Sequence, residues 1–241
     1  MSLYIKYFYV SAFLICGINA QNIPILTSDF SNGLDGWDPA QRISITNQNS
    51  FSTFNNYIQI TPGLYSGNQG KKLIIHNTSD AWTGNYNSKG VTGIQFNFAN
   101  WSDIDAASIR ISLGNRTNVM QGGGTFWVSD SFQFFPENSG WGSVYIPISE
   151  STMHRVANHN GQIGIDTFES TLDTIESIRI FSSVLGYAAV GDEFEGIVGF
   201  DSIALVGIPE SSTYGLSLGL LLVIMTIGFK LKGVLLNVWF N

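Results

Sequence analysis

Cysteine is almost absent from this chain of 241 residues, because Cys16 is the single one. A disulfide framework is therefore excluded, and so is thiolate chemistry in any domain that follows this position. A domain without covalent cross-links depends on its hydrophobic core for stability. The roughly 188 residues from 21 to 208 are enough for one such core, and this length predicts a single domain.

Charged residues are also few, at 12% of the chain. Between positions 21 and 208 there are 17 acidic and 8 basic residues, a balance that repels phosphate backbones and argues against a nucleic-acid partner. The histidines are His76, His154 and His159, and the spacing of the last two does not put them on one helix face, which disfavours a zinc site. Abundant Asn, Ser, Thr, Gly and aromatic residues are typical of an extracellular β protein.

Short runs of alternating apolar and polar residues fill the middle of the chain. Ile109, Ile111 and Leu113 fall on one face of such a run, and Arg110 and Ser112 fall on the other. This period of two predicts strands with one face in a core and one face in water. The predicted strands are 42–46, 57–61, 72–76, 93–98, 108–113, 125–128, 132–135, 143–148, 177–182 and 197–206.

Two short helical pieces interrupt the predicted strands. Ser149 can cap a turn or two that continues through Val156, and Thr167 can cap a helix from Phe168 to Asp173. About ten short strands with Gly-rich turns and almost no helix predict an all-β fold. We expect an antiparallel two-sheet sandwich of jelly-roll type.

Both ends of the chain carry apolar segments. Residues 1–20 have one lysine, an apolar stretch and a small residue, Ala20, at the end, a pattern that predicts a secretory signal peptide. Residues 214–229 contain no charge and are followed by Lys230 and Lys232. Their apolar side chains occur on every side of the helical wheel, which predicts a transmembrane helix rather than a buried core helix.

The tail from 208 to 241 resembles the PEP-CTERM sorting signal of bacterial proteins. Pro209, Glu210 and Ser211 stand where that family has a Pro-Glu-Pro-like tripeptide, and an apolar helix and a basic end follow. The resemblance implies recognition by an exosortase in the membrane and sorting to the cell surface, often beside exopolysaccharide. The predicted organisation is a signal peptide at 1–20, a β-sandwich ectodomain at 21–207 and the sorting tail at 208–241.

The ectodomain in turn resembles β-sandwich domains that precede such tails and that are similar in outline to galactose-binding-like and carbohydrate-binding modules. The resemblance covers nearly all of 29–206 and rests on turn and core segments such as 82–86, 126–129, 178–183 and 199–203. It implies a fold, and it assigns no ligand residue.

The aromatic residues that could stack on a sugar ring are Trp82, Tyr86, Trp101, Trp127 and Trp141. Burial in the core is the alternative for any one of these rings. Trp82 and Tyr86, however, lie in a polar, Gly- and Asn-rich segment, which predicts that these two are exposed. Asn85 and Asn87 would then offer amide hydrogen bonds beside the rings. We therefore expect a glycan, if one is bound, to contact these four residues.

Two further sites are open at this point. Asp29, Asp35 and Asp201 could hold a structural calcium ion by their positions near the first and last strands. Glu193 and Glu195 could be the carboxylate pair of a glycosidase, although flanking glycines favour a solvated loop. The sequence thus favours a non-catalytic surface protein that contacts polysaccharide, with a structural protein lacking a small ligand and a polysaccharide-acting enzyme as the alternatives.

Overall fold

A computed structural model of the chain describes residues 22–38, 43–50, 53–62, 71–116, 123–158 and 161–207. The chain divides into two compact units. One is Pro24–Gly207, and the other consists of Met1–Ile23 with Ile208–Asn241. The second unit lies almost wholly outside the described residues, so the description below concerns the first.

Sheet A contains six strands. They are β1 (Ile23–Ser28), β3 (Ile43–Ser50), β4 (Thr53–Ile60), β6 (Val91–Asn100), β10 (Gly140–Pro147) and β13 (Val198–Gly207). Their order is β10-β6-β13-β4-β3, and β1 also pairs with β13. The neighbours along this path are antiparallel, so strands that are about 100 residues apart in sequence, β6 and β13, lie side by side at the centre of the sheet.

Sheet B contains seven strands. They are β2 (Trp37–Asp38), β5 (Ile74–Asn77), β7 (Ala107–Gly114), β8 (Phe126–Ser129), β9 (Gln133–Phe135), β11 (Met153–Val156) and β12 (Ser177–Ser182). Their order is β11-β8-β7-β12-β5-β2, with β9 also paired to β7. All of these pairings are antiparallel.

The two sheets enclose one apolar core. Alternation along the strands points Ile94, Phe96 and Phe98 of sheet A and Ile109 and Ile111 of sheet B into the same cluster, where each is almost fully buried. The described part of the chain is thus nearly all β, with two antiparallel sheets packed as a sandwich. This confirms the fold class predicted from the sequence.

The ten predicted strands are all present, with ends that differ by a few residues. The helix predicted after Thr167 is also confirmed as α1 (Phe168–Leu172), whose N-cap side chain accepts a hydrogen bond from the Ser170 amide. The helix predicted from Ser149 to Val156 is wrong. Ser149 and Thr152 instead close a turn, and the residues after it form β11 because they pair with β8.

Part of the outer face of sheet B is covered by the chain itself. Arg110 donates hydrogen bonds to the carbonyls of Ser183 and Val184, and Arg179 donates one to the carbonyl of Ala189. Burial lowers the pKa of Arg179 to about 10. These hydrogen bonds hold residues 183–191 against sheet B. Ala189 of this segment belongs to a small second apolar cluster there. Large aromatic side chains also remain accessible on the outer face of sheet A.

Candidate functional site

Trp82 and Tyr86 are part of the core, and the prediction that they are exposed is wrong. Their exposed fractions are 2% and 0%. The ring of Trp82 packs edge-to-face against Trp37, with 5.0 Å between ring centroids. The Tyr86 hydroxyl donates a 2.6 Å hydrogen bond to the Trp82 carbonyl, and burial raises its pKa. Neither ring has a free face on which a sugar could stack.

The polar residues around these rings explain how the segment enters the core. Asn85 accepts a hydrogen bond from the Ser88 amide, and Asn87 donates to the Glu169 carbonyl and the Asp173 carboxylate. These asparagines hold the turn together and anchor it to the end of α1. The polar side chains of the segment therefore form hydrogen bonds with backbone groups. The two aromatic residues, four positions apart, both point into the core.

The three aspartates of the predicted calcium site do not form a common site. Asp29 accepts hydrogen bonds from the Ser31 amide and hydroxyl, which lower its pKa and make it a turn-capping residue. Asp201 lies in the middle of β13 and pairs with Asn97, whereas Asp35 lies in the turn before β2. Among the described residues no three His, Cys, Asp or Glu side chains are grouped so that they could hold a metal ion.

Glu193 and Glu195 lie in a loop, as the flanking glycines indicated, and both are exposed on either side of the buried Phe194. Glu193 lines a cavity of about 490 Å³ together with Lys72 and Tyr187.

Trp127 is buried, with its indole nitrogen donating to Thr171.

Three aromatic side chains form a cluster on the outer face of sheet A. Tyr57, Trp101 and Trp141 contact one another edge-to-face, with ring centroids separated by 5.3 to 5.6 Å. Trp141 is 37% exposed, and Trp101 is partly exposed. We call these three residues the aromatic cluster. It presents apolar ring surface to water at a place where the alternation of β10 requires an outward side chain.

Small residues beneath the aromatic cluster allow the rings to lie close to the sheet. Gly199 of β13 pairs with Ala99 of β6, and Ala99 also pairs with Trp141 of β10. A Cβ atom built on Gly199 would lie 2.8 Å from Trp101 and 2.9 Å from Trp141. Any larger residue at Gly199 would therefore displace both indole rings.

A row of polar side chains lies beside the aromatic cluster. Ser143 pairs with Asn97, which pairs with Asp201, and the Ser143 hydroxyl donates a 3.0 Å hydrogen bond to the Asn97 side chain. A β-bulge follows Asp201, and Ser202 there adopts a left-handed conformation with φ of 51°. A strained bulge in the middle of a sheet is a common device for orienting side chains at a binding site.

The sequence offers Trp101 and Trp141 as possible sugar contacts but favours Trp82 and Tyr86 over them, and it does not single out Tyr57. A usable signal was present. Val144 and Ile146 alternate with polar residues and so mark the core face of their strand. Extending this alternation backward puts Trp141 on the opposite, polar face. Tyr57 is next to the apolar Ile58 and is placed on the polar face by the same argument.

Pro209, Glu210 and Ser211 lie outside the described residues, as do the predicted signal peptide and transmembrane helix. In the part of the chain that the structure describes, no helix has the length and apolarity needed to cross a membrane.

The chain is similar to several solved carbohydrate-binding modules. One is the family 11 carbohydrate-binding module from Clostridium thermocellum in complex with a β-1,3-1,4-mixed-linked tetrasaccharide, at 18% identity and a TM-score of 0.43, over 78% of this chain and 98% of that one. A second is the CBM22-1 xylan-binding domain of Paenibacillus barcinonensis Xyn10C, at 11% identity and a TM-score of 0.44, over 78% and 98%. A third is a non-crystalline cellulose specific module, CBM28, at 14% and 0.42, over 78% and 96%. No family model and no curated protein matches the chain.

Proposed function

We propose that the β-sandwich domain is a non-catalytic module that binds polysaccharide through the outer face of sheet A. The observation that carries this proposal is the aromatic cluster, in which Trp141 keeps 37% of its surface exposed although two other rings pack against it. Edge-to-face packing fixes the ring planes, so little side-chain entropy is lost when a ligand stacks on them. The cluster is a rigid apolar contact beside a row of polar side chains.

The polar row beside the cluster supports a sugar rather than a purely apolar ligand. A pyranose ring presents C–H groups on its faces and hydroxyl groups around its edge. The aromatic cluster suits the first, and the hydroxyl of Ser143 and the amide of Asn97 suit the second. A site with apolar surface and a few fixed polar groups is the usual arrangement for small-molecule recognition.

The same face argues for binding without hydrolysis. Most glycosidases use two carboxyl groups about 5–9 Å apart on either side of the scissile bond. Asp201 is the one acidic residue in the six strands of sheet A that the structure describes. A single carboxylate can accept hydrogen bonds from sugar hydroxyls, but it cannot supply both the acid and the base.

Replacement of Trp141 by alanine tests the proposal. We expect full-length protein, purified in a detergent without a sugar headgroup, to be retarded in native gels containing soluble glucan, xylan or mannan. Trp141→Ala should weaken the affinity derived from that retardation at least about fivefold, because one aromatic contact is worth about 1 kcal/mol or more. Phe134→Ala, which removes a 54% exposed ring from sheet B, is the matched control and should bind like the wild type.

Equal retardation of Trp141→Ala and wild type would show that the outer face of sheet A is not the site. Failure of the wild type to bind any polysaccharide would favour a structural surface protein. Release of reducing ends from the polysaccharide would contradict the non-catalytic part of the proposal.

We also propose that the protein is exported and sorted through its C-terminal tail. The supporting observations are the apolar segments at both ends of the sequence, the tripeptide Pro209–Ser211 and the lysines Lys230 and Lys232. The partners would be the membrane and an exosortase. Delivery to the cell surface would bring the aromatic cluster into contact with exopolysaccharide.

A further inference from the structure

A fourth aromatic side chain lies on the same face as the three of the aromatic cluster. Tyr145 follows Trp141 by four residues on β10, so both point outward from sheet A, and it is 44% exposed. A Cβ atom built on Gly93 would lie 2.6 Å from Cε2 and 2.9 Å from Oη of Tyr145. The ring therefore covers the bare backbone of Gly93 on β6.

The distance between the two aromatic contacts exceeds the length of one sugar ring. Four residues of an antiparallel strand advance the chain by about 13 Å, since each residue rises by about 3.4 Å. A monosaccharide on the aromatic cluster could not reach Tyr145. A chain of several linked sugar units running along β10 would touch both.

The surface between the two contacts is polar and includes the strand bulge. Ser143 lies midway between Trp141 and Tyr145 on β10 and belongs to the row that it forms with Asn97 and Asp201. Gln95 pairs with Tyr145 itself. Hydrogen-bonding groups thus occupy the interval where the middle units of a bound chain would lie. The excess of acidic over basic residues between positions 21 and 208, 17 against 8, disfavours sugars that carry carboxylates.

We infer that the ligand of this face is a linear, neutral polysaccharide that lies along β10 and spans from the aromatic cluster to Tyr145. This inference rests on the proposed function, and it adds the chain length, the direction and the charge of the ligand. Tyr145 is then a contact for the far end of the chain and has no role in binding a short ligand.

Affinity measured against ligand length tests the inference. Calorimetric titration would use full-length protein in a detergent without a sugar headgroup and cello-, xylo- and manno-oligosaccharides of two to six units. Of the three series, those that bind should show an affinity that rises with oligosaccharide length. The affinity should level off once the oligosaccharide is long enough to reach Tyr145. Oligogalacturonides of matched length should bind at least tenfold more weakly than the neutral series.

The variants separate the two contacts. Tyr145→Ala should weaken binding of the six-unit ligand about tenfold and leave binding of the shortest bound ligand unchanged, whereas Trp141→Ala should weaken both. Tyr145→Phe keeps the ring and should bind the long ligand within threefold of wild type. Gly93→Ala keeps Tyr145 but displaces its ring, and it should reproduce the length-dependent loss. Tyr187→Ala, a 74% exposed ring elsewhere, is the control.

The outcomes distinguish this inference from the proposed function. Binding that is lost in Trp141→Ala but is independent of ligand length and of Tyr145 would overturn the inference and leave the proposed function standing. An equal loss for short and long ligands in Tyr145→Ala would also overturn it. Absence of binding to every oligosaccharide and to the parent polysaccharides would overturn both. Tighter binding of the oligogalacturonides than of the neutral oligosaccharides would overturn the conclusion that the ligand is neutral.

Discussion

Trp82 and Tyr86 are among the most deeply buried residues of the domain. The polar composition of their segment suggested exposure, but those polar groups hydrogen-bond to the segment and to α1. The Tyr86 hydroxyl can be buried because it has a partner, the Trp82 carbonyl, at 2.6 Å. Buried polar groups are tolerated when such a partner exists.

Tyr86→Phe should destabilise the protein without changing glycan binding. Removing the hydroxyl leaves the buried Trp82 carbonyl without this donor, which costs about 1–2 kcal/mol in the free energy of unfolding. The measurement is the urea midpoint, followed by tryptophan fluorescence. Tyr145→Phe removes an exposed hydroxyl and should leave the midpoint unchanged. An unaltered midpoint in Tyr86→Phe would mean that the hydrogen bond makes no net contribution.

At the scale of single helices and strands, sequence patterns predicted those elements that depend on local interactions. Thr167 caps α1 because its hydroxyl accepts from an amide three residues on, an interaction readable from sequence. The segment after Ser149 offered the same cue but becomes a strand, because its pairing with β8 is a non-local interaction. Strand β1 begins with an apolar run broken by Pro24, and β2 has only two residues, so neither produces a periodic signal.

The link between the residues next to the ends of β7 and β8 and the segment before α1 should depend on pH. The Asp166 carboxylate accepts hydrogen bonds from Asn115 at 2.9 Å and Thr125 at 2.8 Å, and both lower its pKa. A lowered folded-state pKa gives stability that is present above the ordinary aspartate value, about 3.9, and is lost as the pH falls through the lowered value.

Asp166→Asn should therefore lower stability at pH 7, by no more than about 1 kcal/mol because the carboxylate is partly exposed to water. The gap to wild type should close on acidification below about pH 4. Urea midpoints measured from pH 7 to pH 3 check this, with the exposed Asp103→Asn as control. A gap that stays constant over this range would contradict the role given to the carboxylate.

At the scale of the molecule, alternation and turn residues were sufficient to predict an all-β sandwich, but the order of strands was not predictable. The candidate site depends on that order. Tyr57, Trp101 and Trp141 come from three separate parts of the chain and meet because β10, β6, β13 and β4 are neighbours. The alternation along each strand gives the outward face, whereas only the register brings Gly199 beneath the rings.

The last prediction concerns the cellular location of the protein. It can be tested with an introduced cysteine, because the chain has a single cysteine of its own. The lysines after the apolar tail should stay in the cytoplasm by the positive-inside rule, which puts the β-sandwich domain outside. If the signal peptide is removed together with Cys16, the mature chain contains no thiol. A cysteine introduced at Ser139, which is exposed in the loop before β10, would then be the single reactive site.

We expect Ser139→Cys protein in intact spheroplasts to react with a membrane-impermeant maleimide, and wild-type protein to remain unlabelled before and after lysis. Mass spectrometry of the labelled chain should give an N-terminus at Gln21 and, in a host with an active exosortase, a C-terminus near Pro209–Ser211. Labelling of Ser139→Cys only after lysis would place the domain inside and reject export. An intact C-terminus at Asn241 in that host would instead mean a permanent membrane anchor, because a helix that is not cut away remains inserted in the bilayer.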